Sequence, residues 1–206
     1  AAVGGGDRDH GLALAMAGPA TAQERPLEEL VPEGPYGIVL LAALKKGRFD
    51  FDALRAAYAA DPGYDGQARM KDFAAEAMLA KSSGQPAPAR SMDDVLAAIF
   101  EDFPLADTQL LAFLHFNDMG KPGEKMRESH RAFYREVIDT ILATRTEVAG
   151  APTYKVLSVG EEYEVLRALG AKPRGQSLVD IGGQPFDCHE TDAGRMCFDI
   201  SAFFGR

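Results

Sequence analysis

The spacing of apolar residues changes once along this chain, near Gly150. From Pro26 to about Thr146, Ala, Leu and Met recur at intervals of three and four with no sustained alternation, the period of helices. Beyond Gly150, short strand-like runs separated by Gly-containing turns take over. This order predicts an α+β fold, an irregular N-terminal helical bundle packed on one face of a small C-terminal antiparallel β-sheet. At 206 residues the chain can bury one sizeable core. Residues 23–206 are therefore expected to form a single α+β domain, helical over about 26–146 and β-rich over about 153–201.

Four or five helices fit the first part. Tyr36 to Lys46 sets Ile38, Leu41 and Leu44 at helical spacing, with Gly47 as a stop. A second helix starts around Asp50 and ends at Asp61-Pro62-Gly63. Asp65 to Lys81 is Ala-rich and helical, and Ser82 to Arg90 reads as a flexible connection within the fold. Ser91 and Asp94 approximate a capping box ahead of Val95, Leu96, Ile99 and Phe100. Leu105 to Asp118 and Gly123 to Thr146 form an αα-hairpin joined by Met119-Gly-Lys-Pro122. The hairpin is similar to one tetratricopeptide unit, but no period of about 34 residues repeats it, so a repeat array is not expected.

The charge balance narrows the partners. With 31 Asp and Glu against 22 Lys and Arg, the net charge of −9 argues against nucleic acid, whose binding rests on basic side chains neutralising phosphates. No run of about 18 apolar residues occurs, so no transmembrane segment is expected. A shorter apolar run, Gly11-Leu-Ala-Leu-Ala-Met-Ala-Gly-Pro-Ala20, leads to Ala20-Thr21-Ala22, the small-residue pattern of a signal-peptidase site. Residues 1–22 thus read as a signal-peptide remnant, with a disordered Ala/Gly-rich tail as the alternative. On the first reading the protein is periplasmic or secreted.

In the last third, Tyr154 to Val159 reads as a strand and Glu161 to Leu169 as a short helix closed by Gly170. Three β segments follow: Gln176 to Ile181, Gln184 to Thr191, and Arg195 to Ser201. A three-residue loop of Asp192, Ala193 and Gly194 would pair Thr191 with Arg195, Phe186 with Ile200 and Cys188 with Phe198. That register collects four apolar residues on one face, whereas a two-residue loop sets Phe186 against Asp199, so the three-residue loop is preferred. Export makes a Cys188–Cys197 disulfide the first expectation from counting. The preferred register points the two cysteines to opposite faces, out of bridging reach, and disfavours that bond.

A resemblance covers most of residues 36–201. It is carried by Tyr154-Lys-Val-Leu-Ser-Val-Gly-Glu-Glu-Tyr-Glu-Val-Leu166, Gly170, Gln176-Ser-Leu-Val179, Asp187 and Cys197-Phe-Asp-Ile200. Near the front it is carried by Phe49-Asp-Phe-Asp-Ala-Leu-Arg-Ala-Ala-Tyr58, Asp61-Pro62 and Tyr64. In this ordered combination the chain resembles bacterial domain-of-unknown-function family 4919. It departs in having Gly160-Glu161 where a His often precedes Glu162-Tyr163, and Asp199 where Asn is common. The resemblance implies an exported or envelope-associated protein, helical first and β last, and supplies no catalytic residues.

Read as chemistry, the preferred register places Asp187, His189, Cys197 and Asp199 on one face, all metal-ligand types. Four such residues on a twisted hairpin rarely converge tetrahedrally, so that face is read as solvated and no metal site is assigned. Glu161, Glu162 and Glu164 open the short helix, where the positive end of its dipole stabilises carboxylates. As an acid–base pair, Glu162 with Asp180 or Asp187 would need one carboxyl to be shielded and its proton affinity raised. The candidate binding set is Glu161, Glu162, Gln176, Asp187, His189 and Asp199. His115 is expected in or at the edge of the core and His130 on the surface. Gly-x-Ser-x-Gly, a protease-like Cys setting and a phosphate loop are all absent, so no catalytic residue and no cofactor are assigned.

The function these features favour is a non-catalytic envelope protein that binds a protein or peptide through its helical part. The alternative is a small-ligand or metal binder, or a hydrolytic enzyme, using the acidic/His cluster on the C-terminal sheet.

Overall fold

Seven α-helices precede the first strand among the residues that the computed structural model describes, which are 25–64, 70–84 and 90–204. They are α1 (Leu27–Leu30), α2 (Pro35–Lys46), α3 (Phe51–Ala60), α4 (Met70–Ser83), α5 (Met92–Glu101), α6 (Ala106–Asp118) and α7 (Glu124–Ala143), the last two joined through a 3-10 turn at Lys121–Gly123. The signal-like residues 1–22, the expected helix start at Asp65 and residues 85–89 of the expected connection lie outside the described residues. The helices carry local signals in their sequence. Asp50 caps α3 by accepting from Ala53 N–H at 3.0 Å, Ser91 caps α5 by accepting from Asp94 N–H at 3.1 Å, and Gly47 ends α2 in the left-handed conformation with φ 64°.

Burial corrects two sequence expectations. On α2 the covered side runs through Tyr36, Leu40 and Leu44, and Ile38 faces solvent at 72% exposure. On α7, His130 is buried, because Met126, His130, Phe133, Val137 and Ile141 follow one stripe at helical spacing against the core. His130 Nδ1 lies 2.7 Å from Gln109 Oε1, while His115 is only partly covered. The charged neighbours Arg127, Glu128 and Arg131 occupy other faces of the same helix, and sequence adjacency misled here.

After α7 come β1 (Thr146–Val148), β2 (Ala151–Lys155), α8 (Val159–Ala168), β3 (Pro173–Ile181), β4 (Gln184–Thr191) and β5 (Gly194–Asp199). The fold is α+β, with the helices packed on a five-stranded sheet of order β1-β2-β5-β4-β3. The sheet is mostly antiparallel. Its exception is β2 beside β5, a parallel pair that the crossover through α8 and the β3–β4 hairpin makes possible. Tyr154 and Phe198 project from the inner face into the main core, beside Val156, Val165 and Leu166. That core continues into the bundle through the packed rings of Phe49, Phe51, Phe103 and Phe133.

The last hairpin differs from its expected register by one residue. Thr191 faces Gly194, so the loop has two residues, Asp192 and Ala193, and Phe186 faces Asp199. Cys188 sits directly opposite Cys197, and the two form a disulfide, contrary to the expectation. The apolar residues of the hairpin do not share one face. Both faces are covered: Phe198 belongs to the main core, whereas Phe186, Cys188, Cys197 and Ala151 form a separate small cluster on the outer face.

Candidate functional site

Helix α8 lies against the inner face of the sheet and carries three buried glutamates, Glu161 and Glu162 in its first turn and Glu164 in the next. Ser158 caps the helix by accepting from Glu161 N–H at 3.2 Å. The two acids after it then diverge. Glu161 binds the Arg55 guanidinium in a two-pronged pair at 2.5 and 2.9 Å, and it also accepts from Ala106 N–H at 3.1 Å and Leu157 N–H at 2.7 Å. With that many donors on one carboxylate, Glu161 ties α3, α6 and α8 together; it is structural and not part of a ligand site. Glu164 accepts from Tyr134 Oη at 2.8 Å and pairs with Arg167, and burial raises its pKa.

Glu162 faces the sheet instead. The period of two on β4 puts Asp187 and His189 together on the inner face, and Glu162 meets them there. The ligand-type atoms of the three residues lie within 4.8 Å of one another. All three are buried, at 0%, 8% and 1% exposure for Glu162, Asp187 and His189. Glu162 Oε2 lies 2.9 Å from His189 Nε2. The imidazole stands edge-on between the rings of Tyr163 and Phe198, with centroids at 5.4 and 5.5 Å. Tyr163 donates to Gln176 Oε1 at 3.3 Å, and Gln176 Nε2 donates to Asp187 Oδ2, so a short relay fixes the Asp187 carboxylate.

The electrostatics of this cluster are unusual. Burial first, then the neighbouring Asp187 charge and a hydrogen bond between the two carboxyls, push the Glu162 carboxyl up to about 9. Burial lowers His189, against the pull of Asp187. At neutral pH Glu162 therefore carries a proton and His189 is uncharged. Apart from the proton between the two carboxyls, five buried side-chain polar atoms among the described residues lack a hydrogen-bond partner, and three of them are here: Glu162 Oε1, Asp187 Oδ1 and His189 Nδ1. Orphaned buried polar atoms are rare, so this concentration calls for an explanation. No Lys or Arg among the described residues pairs with Glu162 or Asp187.

Of the candidate residues read from the sequence, the fold brings Glu162, Gln176, Asp187 and His189 together and sends the others elsewhere. Asp199 faces Phe186 on the opposite side of the hairpin and accepts from Ser201 N–H at 3.0 Å. Cys197 is held in the disulfide and is lost as a metal ligand. Asp180 accepts from Gly183 N–H at 2.9 Å in the turn. Tyr163, next to Glu162 in α8, joins the site through Gln176 on the edge strand β3, and no pattern in the sequence marks it.

A cleft of about 190 Å³ opens elsewhere, among Tyr36, Tyr58, Tyr64, Asp61 and Asp102. Its tyrosine hydroxyls are committed within the fold, Tyr36 donating to the Phe100 carbonyl at 2.8 Å, Tyr58 to Asp102 and Tyr64 to the Leu157 carbonyl. Compared with family models, with curated proteins and with solved structures, the chain matches none.

Proposed function

We propose that this chain is a binding protein for a small, positively charged ligand held between α8 and the sheet by Glu162, Asp187 and His189. One observation carries the reading: two carboxyls and an imidazole, all buried, face one another with one unpartnered polar atom each and no basic side chain beside them. A buried pair of carboxyls is costly unless a proton or a cation joins them. The acid–base alternative has the raised Glu162 in its favour, but a substrate bond would have to reach three side chains that are at most 8% exposed. A bare or nearly bare cation meets no such barrier.

Melting of chelator-treated protein against alkali, ammonium, polyamine and divalent cations tests this reading. Stabilisation by one class, lost in Glu162→Gln and Asp187→Asn, is the expected result. A panel in which no cation moves the melting temperature refutes it.

We also propose export to an oxidising compartment, which the Cys188–Cys197 disulfide supports. Kinship with domain-of-unknown-function family 4919 is a further proposal. Its support is that Glu162, Tyr163, Gln176 and Asp187, all among the residues that carry the resemblance, meet at one place. Binding of a protein or peptide by the α6–α7 hairpin is a second reading, favoured by exposed Leu114 and Met119. It ranks lower because α6 already packs on α4, α5, α7 and α8, and α7 packs on α3, which leaves little of the hairpin as an open concave face. Loss of a stoichiometric partner on Leu114→Glu would restore it.

A further inference from the structure

We propose that the cluster of Glu162, Asp187 and His189 is a binding site for one divalent first-row transition-metal ion. The proposal rests on the cationic-ligand reading above and names the cation. Two carboxylates and one imidazole form a mixed oxygen–nitrogen donor set, which suits zinc, manganese, iron or cobalt. Calcium and magnesium prefer six or more oxygens, which this cluster does not offer. A soft cation would draw on thiolates, yet both cysteines are bonded to each other on the opposite face of the sheet.

Size points the same way. Tyr163 and Phe198 flank the imidazole, and the three ligand residues are almost wholly covered, so a carbon chain on an organic amine would have to displace packed rings. A metal ion needs no such room. Bond lengths of about 2.1 Å set three donors roughly 3.0–3.6 Å apart around one ion. The observed span of 4.8 Å therefore closes when the side chains shift by about 1–2 Å. Charge also balances once the ion displaces the Glu162 proton, since one dication then offsets two carboxylates that no described Lys or Arg pairs with.

The surroundings resemble those that orient metal ligands. Gln176 holds Asp187 from the neighbouring strand and Tyr163 holds Gln176. Gln176 is thus a positioning residue. The unpartnered Glu162 Oε1, Asp187 Oδ1 and His189 Nδ1 leave each side chain with a lone pair or proton site that the fold does not use.

The test is calorimetric titration of the chelator-stripped full chain with Zn²⁺, Mn²⁺, Mg²⁺, Ca²⁺ and spermidine. The expected result is one Zn²⁺ or Mn²⁺ per chain, with affinity falling about 100-fold or more in Glu162→Gln and His189→Gln and about 10–100-fold in Gln176→Ala. Circular dichroism identical to the parent controls for folding. The visible absorption of Co²⁺ bound to the unmutated chain reads the donors without any variant, and an oxygen-only spectrum overturns the assignment. Binding confined to Mg²⁺, Ca²⁺ or spermidine, or Zn²⁺ affinity unchanged in His189→Gln, overturns the metal proposal and leaves the cationic reading standing. Silence from every cation removes both.

Discussion

Replacing Glu162 by Gln in the metal-free protein should change how stability depends on pH. The sign follows from proton counts. Glu162 holds its proton up to about 9 in the folded chain, against 4.5 for an ordinary glutamate. Between those values the folded state binds more protons at this site than the unfolded state, so stability falls as pH rises. The contribution is fully present below 4.5 and is lost as pH climbs through the folded value. At about 1.4 kcal/mol per unit, the difference of 9 − 4.5 gives a span of about 6 kcal/mol. Within the window the slope approaches about 1.4 kcal/mol per pH unit, which for a domain of this size is roughly 3–6 °C in Tm. Glutamine keeps the shape and cannot ionise, and the other titrating groups are common to both proteins. The assay is thermal melting with chelator present from pH 5.5 to 8.5. The Tm of the wild type should fall relative to Glu162→Gln by that amount per unit. Asp187→Asn should shorten the window without abolishing it, because burial is the larger cause. Parallel curves for the wild type and Glu162→Gln would refute the reasoning.

Arg55→Met leaves the Glu161 carboxylate buried without its partner and should cost about 3–5 kcal/mol, read from urea melts. Gly160→Ala would set a methyl 2.0 Å from Asp107 Oδ2, so it should destabilise by about 1–3 kcal/mol in the same assay. His130, lowered to about 3 by burial, should show no imidazole titration between pH 5 and 8 by NMR, and its contribution to stability should fade only as pH drops from 6.5 toward 3. Cys188→Ser with Cys197→Ser removes a short covalent loop and should cost about 2–3 kcal/mol.

Much of the architecture was legible because it rests on local signals. The switch of period near Gly150 separates bundle from sheet, and Asp50, Ser91 and Gly47 mark helix ends where capping chemistry puts them. The parallel β2–β5 pair was not legible, since it depends on a crossover whose route no local pattern records. Short β1 was missed because three residues cannot show an alternation. Of the site, the residue types were recognised and Glu162, Gln176, Asp187 and His189 do converge. Their depth was hidden: a run of glutamates at a helix start looks solvated, and nothing local says that α8 turns Glu162 into the sheet while Arg55, over a hundred residues away, receives Glu161. The cysteine pairing was misjudged for a related reason. Alternation identifies which residues share a side, but it cannot say that a sheet has two covered sides.

The disulfide on the outer face has a meaning for the inner one. Along β4 neighbouring side chains alternate between the two sides, so whatever fixes the parity of the β4–β5 alignment also decides which residues α8 meets. The chain is compatible on paper with two alignments one residue apart, and only one of them allows Cys188 and Cys197 to join. Oxidation of the pair thus acts as a molecular odd–even check. Once the bond closes, Asp187 and His189 are committed to the side where Glu162 waits, and a hairpin closed in the other parity would present Phe186 and Cys188 to the helix in their place.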